Sequence, residues 1–562
     1  MWYNRIMKKF LLLFPPFWII NSPHIALPIL ASHLESAKYN VTVRDLNIEF
    51  INEVCTENFI KKIIPKMRNE LTELEEEKKS FYNKDNLYKN KILTERYNEL
   101  KNFFDKNYIQ YENIHLIINN CVKIIKTSKQ NLLENKEELV TIYNALNLVK
   151  LYYSSCSEQL PYNMLSFNDV TNFIKDEKHN LFLNFYKDKI KELSKNYDCI
   201  GISIGTEYQL NAGLTLAYLL KTQLNSHIFL GGNHISRIAT ILKNYPQFFD
   251  IYADEILYES SENSLIKYAQ YINNEIDIQK VPNIIYKKID NVIVNTKESG
   301  FIKHKIKSPN FSDYDISKYI TNTPTLPLQI QTGCYWRKCS FCDFSHGSTY
   351  KVKKISDVIE ELKQNKIKYN VSNYFIVDEA IPPNLLEKLS DEILKNNLSV
   401  KFSIYARFEK SFNKRILEKA YKAGFKNINW GLESANKRIL KLMNKGIDIK
   451  TVHRILKLSS KVGIKNGVSI LFKFPTETFN EALDTITFLK NNKKYINGIA
   501  VSEFGLGRYS NVAHNPNKYK VELCKKQMDF SHALGFKTKT LNEEEKQMIF
   551  DKINEIKKEL KY

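Results

Sequence analysis

The chain has 562 residues, of which 43% are hydrophobic and 26% are charged, and its formal net charge is +21 at pH 7. The length excludes one small domain and predicts two to four, and the composition is ordinary for a globular protein. The positive charge is spread along the chain as lysine, without an arginine-rich stripe or a basic tail, so we do not expect nucleic acid as a partner.

The amino terminus carries a short apolar run that begins like a signal peptide. Two lysines precede the apolar residues 10–14, but Pro15 and Pro16 end the run and no small-residue cleavage site follows. We therefore predict a buried strand that ends in a loop. No other stretch is long and apolar enough to span a bilayer, so no membrane association is expected.

An alternation of strands and helices predicts an open α/β domain in the first half of the chain. The predicted elements are strands over 9–14, 41–46, 199–204 and 227–230, and helices over 26–37 and 209–221. Pro15 follows the first strand, Gly205-Thr206 the third, and Gly231-Gly232-Asn233 the fourth. Such strand ends place backbone N–H groups at the carboxyl edge of a parallel sheet, where open α/β sheets bind ligands.

A long polar segment interrupts this pattern. Residues 50–195 lack glycine, and residues 70–106 are dense in Glu, Lys and Leu at helical spacing. We predict that this segment is a helical insertion in a Rossmann-like domain over residues 1–290, which a linker over 291–325 follows.

A second α/β run begins after the linker. Its predicted strands lie over 329–331, 374–377, 401–405, 427–430, 467–472 and 499–504, with helices between them such as 356–364 and 414–423. This repetition of parallel β-α units predicts a partial (β/α) TIM-type barrel over 326–510, with its chemistry at the carboxyl ends of the strands. The charged residues 511–562 are predicted to form a helical tail.

Three of the eight cysteines are crowded into one loop after the first barrel strand. Residues 333–342 read Gly-Cys-Tyr-Trp-Arg-Lys-Cys-Ser-Phe-Cys and contain Cys334, Cys339 and Cys342. The other five are scattered along the chain: Cys55, Cys121, Cys156, Cys199 and Cys524. A secreted disulfide framework would spread its pairs through a short chain, so we expect a reducing, cytoplasmic location.

The chemistry of this cysteine loop has three interpretations. Three thiolates on one loop can ligate three irons of a cubane cluster, and this is the leading one. A zinc site would usually need a fourth ligand, which His346 could supply, and commonly has two C-x2-C pairs. A redox pair of Cys339 and Cys342 is the third interpretation.

The loop resembles the signature of radical S-adenosylmethionine (SAM) enzymes. In that family three cysteines bind a four-iron cluster, SAM chelates the fourth iron, and one electron cleaves SAM to a 5′-deoxyadenosyl radical. The resemblance implies that Cys334, Cys339 and Cys342 hold a [4Fe–4S] cluster at the catalytic centre. The usual spacing is C-x3-C-x2-C, and this chain has one extra residue in the first gap. Some cobalamin-dependent members look similar, with a Gly-Cys-Tyr-Trp start.

Further segments resemble the family in the expected order. Residues 430–434 resemble its Gly-x-Glu stretch, and residues 474–478 resemble its Gly-Phe-Pro-Gly-Glu-Thr turn, in which Lys473 replaces the first Gly. The resemblance implies that Glu433 receives the SAM ammonium group, that Arg407 faces the SAM carboxylate and that Phe341 packs near the adenine. The full set of implied SAM-binding residues is Phe341, Asp378, Arg407, Gly431, Glu433 and Ser434.

The first domain resembles the cobalamin-binding domain that is fused to many radical SAM proteins. The matching segments are residues 14–17, 26–28, 45–47, 201–203 and 231–233. The motif Asp-x-His-x-x-Gly, which supplies a histidine ligand to cobalt, is absent, and many fused members also lack it. The implied cobalamin contacts are Pro15, Ser203, Gly205, Thr206, Gly231, Gly232 and Asn233.

The sequence therefore predicts a cobalamin-dependent radical SAM enzyme, similar to class B methyltransferases, that methylates an unactivated carbon of a natural product or peptide. The implied cofactors are a 4Fe-4S cluster, SAM and cobalamin. The implied partners are a small-molecule or peptide substrate and an electron donor such as flavodoxin or ferredoxin. Two alternatives remain: a radical rearrangement or cyclisation without methyl transfer, and an iron–sulfur protein that binds RNA or another partner.

Overall fold

The structure is a computed structural model whose described part has several gaps. The described residues are 7–54, 57–78, 97–98, 100–101, 165–177, 180, 182–193, 197–259, 261–295, 306–319, 321, 323–343 and 349–560. Most of the predicted helical insertion lies outside them, as do Cys55, Cys121, Cys156 and His346.

The chain divides into two compact units. The first unit comprises Met1–Pro23, His33–Thr296 and Phe311–Thr323. The second comprises His24–Ser32, Lys297–Asn310 and Pro324–Tyr562.

A seven-stranded sheet forms the centre of the first unit, in the order β2-β1-β3-β4-β5-β6-β7. Its strands are β1 Lys9–Phe14, β2 Asn40–Asp45, β3 Cys199–Ser203, β4 His227–Gly231, β5 Glu255–Leu257, β6 Ile284–Lys288 and β7 Asn291–Asn295. Strands β1 to β5 run parallel, and β6 and β7 continue the sheet antiparallel. Strand β7 therefore occupies residues that the sequence assigned to the linker.

The apolar run after Lys9 explains the central position of β1. All five residues from Phe10 to Phe14 are buried, because β1 has a neighbouring strand on both sides and both faces of the sheet are covered. The predicted parallel strand is thus present with the predicted bounds.

Helices lie between the strands of the first half of the chain. Their bounds are Ala26–Ser36, Leu46–Val54, Glu57–Lys78, Phe167–Phe173, Phe182–Leu193, Leu210–Gln223, Asn233–Leu242, Pro246–Ile251 and Ser261–Ile272, with short 3-10 turns at Glu207–Gln209, Ile278–Lys280 and Ile316–Lys318. The described ends of the predicted insertion are helical. This agrees with the helical spacing of the sequence there.

Gly232 is required by the backbone of the first unit. Its φ of 101° lies in the region that favours glycine, and an added Cβ would stand 2.4 Å from the carbonyl oxygen of Ile204. Ile204 N–H also donates to the Gly231 carbonyl at 2.9 Å. The backbone of Ile204 therefore occupies the space that a side chain at position 232 would need.

A six-stranded, wholly parallel sheet forms the centre of the second unit, in the order β15-β14-β13-β12-β11-β8. Its strands are β8 Thr325–Leu328, β11 Asn373–Ile376, β12 Lys401–Arg407, β13 Phe425–Glu433, β14 Lys465–Phe472 and β15 Gly498–Glu503. Helices in this half are Ile355–Tyr369, Pro383–Lys395, Lys414–Lys422, Lys437–Leu442, Ile449–Val462, Phe479–Asn492, Asn511–His514 and Glu543–Glu559, with 3-10 turns at Lys493–Tyr495 and Pro516–Tyr519. The open row of strands is the predicted partial barrel.

The first barrel strand lies earlier than the sequence indicated. The expected strand over 329–331 is replaced by β8, and Gln331–Thr332 instead forms β9, which pairs with β10 Lys351–Val352 in an antiparallel ribbon. Pro327 lies inside β8, where it is tolerated because β8 is the edge strand of the sheet.

The predicted helical tail is a mixture of elements. Besides its two helices it contains three short strands, β17 Val521–Leu523, β18 Ala533–Leu534 and β19 Phe536–Thr538; β18 pairs with β16 Leu506–Gly507, and β17 pairs with β19. Strands of two or three residues are too short to show a period, so the sequence could not distinguish them. No helix in the described part of the chain is long and apolar enough to cross a membrane.

Candidate active site

The cysteine loop is anchored at its centre to two other segments of the second unit. The Ser340 backbone N–H donates to the Met443 carbonyl at 2.8 Å, and its hydroxyl donates to the Leu442 carbonyl at 2.9 Å. The Val512 N–H donates to the Ser340 carbonyl at 3.0 Å. These bonds fix the backbone of the segment between the second and third cysteines.

The three thiols are partly exposed, and two cations lie near the middle one. The Arg407 guanidinium is 3.8 Å from Cys339 Sγ. Burial raises the pKa of the Cys339 thiol, whereas Lys445 and Arg407 act in the opposite direction. Metal ligation requires the thiolate form, so this positive charge favours cluster binding.

Arg407 is buried and joins several parts of the site. Its side chain donates to Glu409 at 3.1 Å and to the Lys445 carbonyl at 2.6 Å, and its guanidinium carbon stands 4.1 Å from the centre of the Trp336 ring. Tyr335 donates to the same Glu409 carboxylate at 2.9 Å. The predicted site residue Arg407 therefore reaches the cysteine loop from the end of β12.

Glu433 and Lys445 form a nearly buried ion pair beside the loop. Lys445 Nζ is 2.7 Å from Glu433 Oε1, and the two side chains are 8% and 15% exposed. Burial lowers the pKa of Lys445, but the Glu433 carboxylate outweighs it and the pKa is raised. A Cβ at Gly431 would stand 2.8 Å from atoms of both side chains, so Gly431 leaves the room that the pair occupies. The ammonium of Lys445 also lies 5.9 Å from the centre of the Phe341 ring.

The two remaining predicted SAM contacts, Asp378 and Ser434, form hydrogen bonds within the protein. The Asp378 carboxylate accepts the backbone N–H groups of Ile330 and Gln331 at 3.1 Å, where the chain passes from β8 into the cysteine loop. Burial raises the pKa of the Asp378 carboxyl well above its ordinary value, although these donors act in the opposite direction. Ser434 is fully buried, and its hydroxyl accepts the Asn436 N–H at 3.1 Å. Their contact with SAM stays a prediction.

The predicted cobalamin contacts lie together at one edge of the first unit's sheet. They lie at or just after the carboxyl ends of β1, β3 and β4: Pro15, Ser203, Gly205, Thr206, Gly231, Gly232 and Asn233. Buried Gln209 connects two of these loops, because its amide donates to the Pro15 carbonyl at 2.7 Å and accepts the Gly205 N–H at 3.0 Å. Thr206 Oγ1 is buried and finds no hydrogen-bond partner among the described residues. A buried hydroxyl without a partner fits a bound polar ligand at this edge.

Three residues of these sites were not found from the sequence. Lys445 pairs with the predicted Glu433, Glu409 links Arg407 to Tyr335, and Gln209 joins the loops of the first unit. None of the three lies in a recognised sequence motif. Each has its role through a contact that forms only when the chain folds.

Comparison with known proteins identifies the class of the second unit. Residues 328–489 match the family model of the radical SAM superfamily. This segment is therefore a radical SAM domain, and the predicted superfamily is confirmed.

Two curated relatives match part of the chain. An uncharacterized methyltransferase of Pyrococcus horikoshii is 23% identical over 303 residues, which is 52% of this chain and 64% of the relative. A putative methylthiotransferase of Methanocaldococcus jannaschii is 27% identical over 254 residues, which is 40% of this chain and 55% of the relative. The matches thus span less than two thirds of either relative.

Two solved structures have a fold similar to that of this chain. The cobalamin-dependent SAM radical enzyme OxsB, with aqua-cobalamin bound, matches 97% of this chain and 66% of its own with a TM-score of 0.60 and 13% identity. The radical SAM methyltransferase TsrM from Kitasatospora setae, with cobalamin and a [4Fe-4S] cluster bound, matches 93% of this chain and 81% of its own with a TM-score of 0.55 and 12% identity. The chain has the fold of these two enzymes, as the sequence predicted.

Proposed function

We propose that the protein is a cobalamin-dependent radical SAM methyltransferase that acts on an unactivated carbon of a small molecule or peptide. The observation that carries the proposal is the arrangement of three thiols on one anchored loop, beside the buried pair of Glu433 and Lys445. When bound, a four-iron cluster and SAM supply a 5′-deoxyadenosyl radical, and cobalamin supplies a methyl carrier.

The residues of the second unit have distinct roles in this proposal. Cys334, Cys339 and Cys342 would hold a four-iron cluster, at which SAM would bind. Glu433 would accept hydrogen bonds from the SAM amino group. Arg407, as the sequence implied, and Lys445, which Glu433 holds, are the cations that would face the SAM carboxylate.

The first unit supplies the support for cobalamin. Its loops after β1 and β3 are joined by Gln209, and the unpartnered hydroxyl of Thr206 offers a hydrogen bond to a polar group of the ligand. The chain lacks the Asp-x-His-x-x-Gly motif, so no histidine of such a motif would supply a ligand to cobalt. Reconstituted protein is therefore expected to show the spectrum of base-off cobalamin.

Replacing Glu433 with glutamine is expected to weaken SAM binding at least tenfold. A charge-assisted hydrogen bond contributes about 1.5–3 kcal/mol, and about 1.4 kcal/mol corresponds to a tenfold change in affinity. The glutamine keeps the shape of the side chain but leaves Lys445 without its carboxylate. Isothermal titration of SAM into anaerobically reconstituted protein measures the effect.

The control for this prediction removes both charges. Glu433→Gln combined with Lys445→Met leaves no buried charge unpaired, so it should fold at least as stably as the single variant while SAM binding stays weak. Unchanged SAM affinity in the single variant would remove Glu433 from the site.

The proposed activity is tested with SAM that carries a labelled methyl group. Protein reconstituted with cluster and cobalamin and then reduced should convert SAM to 5′-deoxyadenosine and should also retain the label with protein-bound cobalamin. This assay needs no substrate. Formation of 5′-deoxyadenosine without any transfer of the label would contradict the proposed methylation and favour the alternative of a rearrangement or cyclisation.

A further inference from the structure

Two hydrogen bonds hold Arg407 so that a third nitrogen of its side chain faces a cysteine sulfur. Nε donates to the Glu409 carboxylate at 3.1 Å, and Nη2 donates to the Lys445 carbonyl at 2.6 Å. Nη1 lies 3.8 Å from Cys339 Sγ, which is within reach of an N–H···S hydrogen bond. The N–H donors of a guanidinium group form a rigid fork, so the first two bonds also fix the direction of the third nitrogen.

The Trp336 ring covers the face of the same guanidinium group. The guanidinium carbon lies 4.1 Å from the centre of the ring, and the indole N–H donates to the Asn444 carbonyl at 3.1 Å. An aromatic ring at this distance attracts the cation and keeps water from its face. The Arg407 side chain is only 4% exposed. Its charge therefore acts on Cys339 with less screening than a surface charge would.

Trp336 lies in the first gap of the cysteine loop, which is one residue longer than the usual spacing. Four residues separate Cys334 from Cys339. Arg337, within this gap, has a φ of 52°, a left-handed conformation that turns the chain. This turn lies between Trp336 and Cys339 in the chain, so the indole can cover Arg407 while the cysteine stays beside it.

We propose that Arg407 and Trp336 raise the reduction potential of the cluster, with Arg407 donating an N–H···S hydrogen bond to the ligand Cys339 and Trp336 holding Arg407 in place. The inference rests on the proposed function, because it needs the cluster that Cys339 would help to hold. Hydrogen bonds to the sulfurs, nearby charge and exposure to solvent are among the factors that set the potential of such a cluster. Each of the two residues acts through another group, so both are positioning residues.

The direction of the effect follows from the charge of the cluster. In the reduction the cluster gains one electron from a low-potential one-electron reductant, which loses it, and no bond or proton is transferred. The added electron makes the cluster and its thiolates more negative. A cationic N–H donor at a thiolate therefore stabilises the reduced form more than the oxidised form, and the potential rises.

This role of Arg407 is compatible with a contact to the SAM carboxylate. A guanidinium group has five N–H donors, and the three bonds described above leave two of them for a ligand. Burial raises the pKa of the Cys339 thiol, and both Lys445 and Arg407 oppose this effect. Arg407 is the cation whose N–H group is directed at the sulfur, since the Lys445 ammonium donates to Glu433 at 2.7 Å.

The test measures the reduction potential of the reconstituted cluster in the full chain, without SAM. Titanium(III) citrate reduces the cluster at controlled potentials, and EPR reports the reduced fraction. At the midpoint potential of the wild type, we expect the ratio of reduced to oxidised cluster to be at least tenfold lower in Arg407→Gln, and a tenfold change corresponds to about 59 mV for a one-electron couple. Arg454→Gln is the matched control and should keep the wild-type ratio, because Arg454 donates to the carbonyls of Phe412 and Lys410.

A double-mutant cycle tests the part assigned to Trp336. Trp336→Leu should lower the same ratio, because the guanidinium group of Arg407 then loses its cover and becomes hydrated. In the Arg407→Gln background, Trp336→Leu should have little further effect, since the group through which it acts is gone. Equal effects of Trp336→Leu in the two backgrounds, or no effect in either, would refute the part assigned to Trp336.

The hydrogen bond itself is tested without changing Arg407, so that a variant that fails to fold does not decide the outcome. Protein labelled with arginine that carries ¹⁵N in the guanidinium group is reduced without SAM, and pulsed EPR should detect coupling between the cluster spin and this nitrogen. Arg337→Lys removes the arginine of the cysteine loop and should keep the coupling.

Two kinds of failure are distinguishable in these measurements. No guanidinium coupling, a coupling that disappears in Arg337→Lys, or a wild-type ratio in fully loaded Arg407→Gln would overturn the inference about the reduction potential. A wild type that assembles no iron–sulfur cluster would instead refute the proposed function.

Discussion

Cys339→Ala is expected to abolish the intact four-iron cluster. A cubane that is held by three thiolates loses an iron ligand in this variant, and the described part of the loop has no fourth cysteine to replace it. Anaerobically reconstituted wild-type protein should be brown and contain close to four irons and four sulfides per chain, and the variant should be nearly colourless. Iron and sulfide analysis with the visible absorption spectrum measures both.

Cys524→Ala is the matched control for this result. Cys524 is also a partly exposed cysteine of the second unit, but it lies outside the cysteine loop and beside Gly535. Its variant should keep the full cluster. If the wild type contained stoichiometric zinc and no sulfide, the iron–sulfur cluster would be contradicted and the zinc interpretation of the site would be favoured.

The parallel strands were predictable because a strand that is buried on both faces is a continuous run of apolar residues. The run from Phe10 to Phe14 is apolar throughout, as a strand buried on both faces must be. Strand β8 was placed a few residues too late, since Pro327 reads as the end of a strand. Only the position of β8 at the edge of its sheet makes proline acceptable there, and a single sequence does not reveal which strand is the edge.

The sequence predicted the part of the site whose cluster ligands lie within one motif. The three cysteines are close in sequence, so their spacing indicates shared chemistry. Lys445 is different, because it lies twelve residues after Glu433 and reaches it only when the helix Lys437–Leu442 turns the chain back. Lysine is abundant throughout this chain, and so the residue type carried no signal.

The turn beside Lys445 did contain a partial signal. Asn444 and Gly446 both have positive φ, at 50° and 69°, and Asn and Gly are typical of the residues that follow a helix. The sequence could thus predict that the helix ends here. It could not predict that the turn lies under Trp336, since that contact joins segments more than one hundred residues apart.

Gly446→Ala is expected to loosen the cysteine loop and speed the loss of its cluster. A Cβ at position 446 would stand 2.3 Å from the Trp336 ring, and the positive φ of 69° strains any side chain there. Trp336 would have to leave its place over Arg407 and give up its hydrogen bond to the Asn444 carbonyl. Local strain of this kind costs about 1–3 kcal/mol, which corresponds to roughly tenfold or more in an equilibrium constant.

The measurement is the rate at which an iron chelator bleaches the reconstituted cluster, and we expect this rate to rise about tenfold in Gly446→Ala because the displaced indole opens the loop to solvent. Gly505→Ala is the control, since an added Cβ there meets nothing within 4 Å. Trp336→Ala removes the ring that causes the clash, so adding Gly446→Ala to it should speed bleaching much less than in the wild-type background. Equal effects of Gly446→Ala in the two backgrounds would mean that backbone strain alone, and not the packing of Trp336, controls access to the cluster.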